Sequence, residues 1–254
     1  MPGKTEPRDK GTSVLSGRKP VVELLRARRP AERILMAAGM GTAAVLTEIR
    51  KRAEEASIPV KVVPRTEIDR LAEGENHQGV VAVTGRFRYA ALEDLFGDTS
   101  CLVFLDGVTD PHNLGSLIRT AECCGFDGVV IPTHRSVAVT PTVRRVAAGA
   151  AEVLPVARVT NLGRGLDQAR TAGLWIVGLD GEASDDIWSS QLLEAPVGIV
   201  LGAEGRGLSR SVRDHCDALV RIPQSGRIGS LNVGVAGAVA MFEVARRRNS
   251  SDTL

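Results

Sequence analysis

Leu105-Asp106-Gly107-Val108-Thr109-Asp110-Pro111-His112-Asn113-Leu114-Gly115-Ser116-Leu117-Ile118-Arg119-Thr120-Ala121 decides how this chain is read. The apolar run that enters it, Cys101 to Leu105, has the length of a buried strand, and Asp110-Pro111 ends the turn that follows. Leu114, Leu117, Ile118, Ala121 and Cys124 then recur at helical spacing on one stripe. At about 100° per residue Arg119 points away from that stripe. Asn113 stands at the expected helix start, where its side-chain oxygen can cap free amides. Two readings are open from these residues: a plain capped helix with a solvated arginine, or a polar site at the carboxyl end of a strand, where open α/β sheets bind ligands.

The same strand-loop-helix unit recurs on either side. After Ser100, strands are expected at Cys101 to Leu105, Gly128 to Ile131, Val153 to Val156, Trp175 to Leu179, Val197 to Leu201 and Ala218 to Ile222, with helices between most of them. That pattern predicts an α/β domain with a mainly parallel sheet over residues 100–250. Upstream, helices at 17–29, 42–56 and 66–71 alternate with strands at 34–37, 60–63 and 80–84, a small α/β domain over residues 13–85. Residues 86–99 are expected to link the two, and residues 1–12 to form a flexible leader.

The bulk properties narrow the class. With 254 residues, 43% hydrophobic and 24% charged, the chain can bury a real core. No apolar run approaches the roughly 20 residues a bilayer span needs, and the first ten residues lack a signal-peptide core, so a soluble cytoplasmic protein without membrane contact is expected. Cys101, Cys123, Cys124 and Cys216 have neither metal-ligand spacing nor disulfide density; no metal is expected. Residues 1–90 carry 17 Lys and Arg against 11 Asp and Glu, whereas residues 91–254 carry 15 against 19. A basic front half suits a polyanion, and all but five of the basic residues are arginines, which grip phosphate bidentately.

Two further loops resemble the first in chemistry. Leu201-Gly202-Ala203-Glu204-Gly205-Arg206-Gly207-Leu208-Ser209 leaves an apolar strand and enters a helix expected at 209–215. Its glycines let backbone approach a ligand closely, but their G-x-x-G-x-G spacing is not the dinucleotide fingerprint. Ile222-Pro223-Gln224-Ser225-Gly226-Arg227-Ile228-Gly229-Ser230-Leu231-Asn232 leads into a long helix that Ser230 can cap, with Leu231, Val235, Ala238, Val239 and Phe242 as its apolar face. Three strand-end loops of one sheet thus carry glycine together with Asn, Glu, Ser or Arg.

These motifs, Asn113-Leu114-Gly115 with Arg119-Thr120-Ala121, then Leu201 to Gly207, then Ile222-Pro223 with Ser230-Leu231-Asn232-Val233, resemble the SpoU/TrmH family of RNA 2′-O-methyltransferases. The likeness covers residues 101–248. It extends forward through Gly17-Arg18-Lys19-Pro20-Val21 and His77-Gln78-Gly79-Val80-Val81-Ala82, which are similar to the front domain of the bacterial branch that methylates a guanosine of 23S rRNA. Val156-Ala157-Arg158-Val159-Thr160-Asn161-Leu162 points to the same branch. Gln224 and Gly234 depart from the family's common Met and Ser, at positions that are not catalytic.

The resemblance implies a trefoil knot of SPOUT type between Val197 and Phe242, an exception to the rule that chain connections are unknotted. It implies S-adenosyl-L-methionine as cofactor, held by Gly202, Ile222 and Leu231, and catalytic positions at Asn113, Arg119, Glu204, Ser230 and Asn232. Arginine stays protonated at ordinary pH, so Arg119 is expected to bind a substrate phosphate and stabilise a developing alkoxide, with Glu204 orienting Arg119 or the substrate. Asn113 is expected to shape the ribose pocket, and Ser230 and Asn232 to brace the cofactor loop. A homodimer is implied too, its interface drawn from the last helix and from the apolar face of 113–124. The substrate implied is RNA, most specifically 23S rRNA. A tRNA or antibiotic-resistance methyltransferase, or a non-catalytic ribosome-assembly protein, are the alternatives.

Overall fold

The structure, a computed structural model, describes residues 13–194, 196–226 and 229–251. The expected leader over 1–12 lies outside the described residues. After Arg88 the chain divides into two compact units.

The first unit builds a four-stranded sheet from β1 (Ser13–Ser16), β2 (Arg33–Ala37), β3 (Val60–Val63) and β4 (Val80–Thr84), in the order β1-β4-β2-β3. Residues alternate between faces as the period of two requires. Leu15, Ile34, Met36, Val80 and Ala82 pack with α1 (Arg18–Arg26) and α2 (Ala44–Glu55), while Val14, Leu35, Ala37 and Val81 pack with α3 (Arg65–Ala72). Strand β1, two serines around Val14-Leu15, carries too little apolar signal for sequence reasoning to find. It pairs antiparallel to β4 nonetheless, which leaves β4 buried along its length.

The second unit holds a seven-stranded sheet. Its strands are β5 (Cys101–Asp106), β6 (Gly128–Pro132), β7 (Val156–Val159), β8 (Trp175–Leu179), β9 (Asp185–Asp186), β10 (Val197–Gly202) and β11 (Ala218–Arg221). The order is β7-β6-β5-β10-β8-β11-β9, and every pairing is parallel. Helices α4 (Pro111–Cys123), α5 (Pro141–Val146), α6 (Ala150–Val153), α7 (Leu162–Thr171), α8 (Arg210–Arg213) and α9 (Val233–Ser251) join or cover the strands. From the 86–99 stretch, Leu92 and Leu95 are buried in this unit's core beside Phe104 and Leu166.

Three local expectations are corrected. The strand expected at 153–156 lies at Val156–Val159, and Ala150–Val153 is a helical turn: a short apolar run does not reveal its own period, and Pro155 separates the two elements. Helix α8 is shorter than the 209–215 expected. The face of α9 that looked core-facing is the outer one, since Leu231, Val235 and Phe242 are exposed while Val233, Ala240, Met241 and Val244 are buried. Small residues decide that rotation: a Cβ on Gly237 would stand 2.4 Å from Leu117 and 2.7 Å from Leu201, so only glycine lets α9 lie this close to α4 and β10. The stripe on α4 is spent inside this unit, with Leu114, Leu117, Ile118 and Ala121 fully buried.

Candidate active site

Helix α4 begins one turn earlier than the sequence suggested. Pro111 takes the first helical position, where its missing N–H costs nothing, and the cap is Asp110, whose carboxylate accepts from the His112 amide at 3.0 Å. Asn113 is thereby released from capping and is buried. The start of α9 is corrected likewise. Its cap is Asn232, whose Oδ1 accepts from the Gly234 and Val235 amides at 2.9 and 3.3 Å, whereas Ser230 is exposed and makes no hydrogen bond among the described residues.

Those two asparagines meet on Glu204. Asn113 Nδ2 donates to Glu204 Oε1 at 2.7 Å, Asn232 Nδ2 donates to the same oxygen at 2.6 Å, and Asn232 Nδ2 also donates to Asn113 Oδ1 at 3.1 Å. One residue from each of the three loops thus enters a single network. An amide nitrogen has two hydrogens and a carboxylate two oxygens. Asn232 is fully spent, whereas one hydrogen of Asn113 and Oε2 of Glu204 stay unengaged among the described residues.

The loop that carries Glu204 folds back on itself. Ala203 N donates to Gly207 O at 3.0 Å and Gly207 N to Ala203 O at 2.8 Å, with Gly205 and Gly207 at φ of +73° and +63°. A Cβ on Gly202 would fall 2.1 Å from Gly207 C and 2.3 Å from Leu208 N. These glycines therefore have backbone reasons of their own, and close approach to a ligand is not needed to explain them. At the base of the loop the Ser209 amide donates to Asp106 Oδ2 at 2.7 Å, tying the β10 loop to the end of β5.

Behind this cluster lies a cavity of about 350 Å³ at the carboxyl ends of β8, β10 and β11. Gly202, Glu204, Ile222, Ser230 and Leu231 all line it, as do Leu179, Leu201, Asp180 and Glu182. Asp180 pairs with Arg213, while the exposed Glu182 carboxylate has no partner among the described residues. Sequence reasoning missed the β8 loop; its only signal was an acidic pair after an apolar strand. Arg119 stands on the outward side of α4, exposed, and no described residue hydrogen-bonds or pairs with it. Of the two partners expected for Glu204, Arg119 or the substrate, Arg119 makes no contact with it among the described residues; the two asparagines hold it instead.

Solved structures with this architecture include RNA methyltransferases. The chain is similar to an rRNA methyltransferase from Sinorhizobium meliloti, solved with AdoMet bound, with 26% identity and a TM-score of 0.80 over 93% of this chain and 87% of that one. It is similar to the SpoU methyltransferase AviRb of Streptomyces viridochromogenes, also solved with AdoMet, with 25% identity and a TM-score of 0.80 over 94% and 91%. Fold and site thus define an RNA methyltransferase of the α/β class. Residues 100–242 match the SpoU rRNA Methylase family and residues 14–90 the RNA 2′-O ribose methyltransferase substrate-binding domain. A relative of Pseudomonas putida, the 23S rRNA (guanosine-2′-O-)-methyltransferase RlmB, is 45% identical over 202 residues, which are 77% of this chain and 81% of the relative. The chain belongs to the SpoU rRNA methylase family.

Proposed function

We propose that this protein transfers a methyl group from S-adenosylmethionine to a ribose 2′-hydroxyl, and that the substrate is a guanosine of 23S rRNA. One observation carries the reading: Asn113, Glu204 and Asn232 form one hydrogen-bonded cluster at the rim of the cavity that Gly202, Ile222 and Leu231 line. The guanosine and the 23S rRNA rest on the Pseudomonas relative, and the basic front unit suits an RNA of that kind.

The cavity fits the cofactor in size and chemistry. Its volume is within the range of small-molecule sites. Leu179, Leu201, Ile222 and Leu231 offer an apolar wall for an adenine, and the Glu182 carboxylate, unpaired among the described residues, suits a cation. The bound cofactor supplies an electrophilic methyl on a positively charged sulfur. The protein's share is positioning and charge. Glu204 Oε2 accepts the hydrogen bond of the 2′-hydroxyl and takes its proton as the methyl bond forms, the unengaged Asn113 hydrogen fixes the ribose, and Arg119 binds a phosphate and stabilises the developing charge on the oxygen. Asn232 holds the two groups that touch substrate, and Ser230 lines the cofactor wall.

The chain from Val197 to Phe242 is read as the trefoil: β11 is laid outside β8, after which α9 returns to pack on α4 and β10. A second copy is assigned to the outer stripe of α9, where Val235 and Phe242 are exposed; α4, its apolar face already buried, contributes only its polar side. No helix among the described residues is long and apolar enough to cross a membrane; the proposed rRNA substrate supports a cytoplasmic location. Mass-spectrometric mapping of ribose methylation in rRNA, from cells with and without the protein, tests the proposal. A single 2′-O-methylguanosine of 23S rRNA should disappear in its absence, and unchanged rRNA methylation would refute it.

A further inference from the structure

A second and larger cavity, about 720 Å³, opens on the other side of the β10 loop, at the carboxyl ends of β5, β6 and β7. Ala203, Arg206 and Gly207 line both cavities, so whatever fills the second lies beside whatever fills the first. Its lining divides by charge. Asp106 is the one carboxylate, half-buried, with Oδ2 held by the Ser209 amide and Oδ1 unengaged among the described residues. Around it stand His134, Arg135 and Arg206, all exposed and without a hydrogen-bond or ionic partner among the described residues. Arg135 sits at a φ of +60°, a conformation uncommon for such a side chain.

We infer that this cavity seats the base of the nucleotide whose ribose is methylated, and that Asp106 selects guanine there; the inference rests on the RNA methylation proposed above. A carboxylate only accepts hydrogen bonds, so the base must present N–H groups to it. Guanine alone among the four bases presents two adjacent donors on one edge, N1–H and the N2 amine. A site that does chemistry on a single nucleotide reads it out of the stack by that edge. The basic side chains fit the same strand, since they meet the phosphates on either side of the inserted nucleotide. A free anion would be repelled by Asp106; a nucleotide with its base inside and its backbone outside satisfies both charges. Pro132 and Leu162 supply apolar surface for the ring faces.

The test pairs a substrate change with a protein change. Inosine lacks the N2 amine of guanosine, and Asp106→Asn keeps an oxygen for the Ser209 amide while turning the other atom into a donor. Binding of short single-stranded oligouridylates with one central guanosine or inosine is measured by fluorescence anisotropy, with S-adenosylhomocysteine present, for the wild-type protein and for D106N. The wild type should bind the guanosine strand about tenfold more tightly, the worth of one hydrogen bond to a charged group, and D106N should show no preference. Arg135→Ala should weaken both strands alike. Cofactor affinity, read by calorimetry, should be unchanged in both variants, which shows that they are folded. Equal binding of the two strands by the wild type, the same preference in D106N, or no binding of either strand overturns the inference. If the strands are discriminated through Asp106 but rRNA is methylated identically with and without the protein, the cavity assignment stands and the methylation proposal falls.

Discussion

Asn232 offers the sharpest test of how the site is held, because it does two jobs that substitution can separate. Its Oδ1 caps α9 through two amides, and its Nδ2 donates to Asn113 and to Glu204. Asn232→Ala removes both. Loss of a cap costs about 1 kcal/mol, and leaving the buried Asn113 oxygen unsatisfied costs about 1–3 kcal/mol more, so urea denaturation should show about 2–4 kcal/mol lost at any neutral pH. Asn232→Asp keeps the cap, and its charge favours a helix start by about 0.3–1 kcal/mol, but it sets a second carboxylate against Glu204. Two carboxylates that share a site raise one another's proton affinity. A pKa raised by folding means that the folded state binds the proton more tightly. The variant is therefore weak at pH 7 and regains stability as pH falls through the raised value. N232A should show no such recovery. Both variants should lose methyl transfer by tenfold or more, because Glu204 and Asn113 are no longer fixed and small misplacements are costly in rate. If N232D matches the wild type in stability and turnover at pH 7, the donor role assigned to Asn232 is wrong.

Other outcomes are as concrete. Gly202→Ala drives a methyl group into the backbone of Gly207 and Leu208; calorimetry should show cofactor binding lost, whereas Gly205→Ala, with nothing within 4 Å of the new Cβ, should bind normally despite its positive φ. Arg119→Ala should lower transfer while sparing cofactor affinity, and should reduce the slope of log RNA affinity against log salt by roughly 0.7–0.9, the share of one phosphate contact; an unchanged slope would remove Arg119 from the RNA. Glu152→Gln breaks the buried pair with Arg144, 2.6 Å long and nearly inaccessible, and should cost about 3–5 kcal/mol in chemical denaturation. Hydrogen bonds from Arg246, then Arg247, hold the Glu243 carboxyl below the usual carboxylate range against the opposing effect of burial. Its stabilisation is present above the ordinary carboxylate value and fades as pH falls through the lower folded value. The stability gap between wild type and Glu243→Gln should therefore close below about pH 4, and a gap constant from pH 7 to 3 would refute it.

The sheet was legible because its strands are continuous apolar runs ended by glycine, proline or a charge, and buried parallel strands are written that way. The site was legible residue by residue but not in its connections. Both asparagines were singled out, Asn113 as a cap and ribose wall and Asn232 as a brace of the cofactor loop, yet neither was joined to Glu204. Capping is decided within three residues, and Asp110 and Asn232 took the roles that local spacing offered equally to Asn113 and Ser230. What the asparagines then do depends on Glu204, 91 and 28 residues away, and no periodicity encodes a contact that far along the chain. The β8 loop was missed for the same reason: Asp180 and Glu182 acquire meaning only once β11 and β10 flank their strand. The face of α9 was misjudged because glycine scores as nothing in an apolar stripe, while in the packed protein Gly237 marks the closest approach.

Hydrogen-bond capacity argues for a site completed by its substrate. The cluster of Asn113, Glu204 and Asn232 uses almost every donor and acceptor it has, and the capacity left over is one carboxylate oxygen and one amide hydrogen. A group so held pays little ordering entropy when it acts, which is what preorganisation contributes to rate. Arg119 is the opposite case: exposed, long and unpaired among the described residues, it keeps its rotamer freedom until something fixes it. Pairing Arg119 with Glu204 in the absence of RNA would gain little, because exposed ion pairs contribute at most about 1 kcal/mol, and it would occupy the oxygen that the hydroxyl needs. In the proposed mechanism a rigid carboxylate and a free guanidinium allow the RNA itself to join them, phosphate to Arg119 and hydroxyl to Glu204. Only a strand that reaches both would then be aligned for transfer.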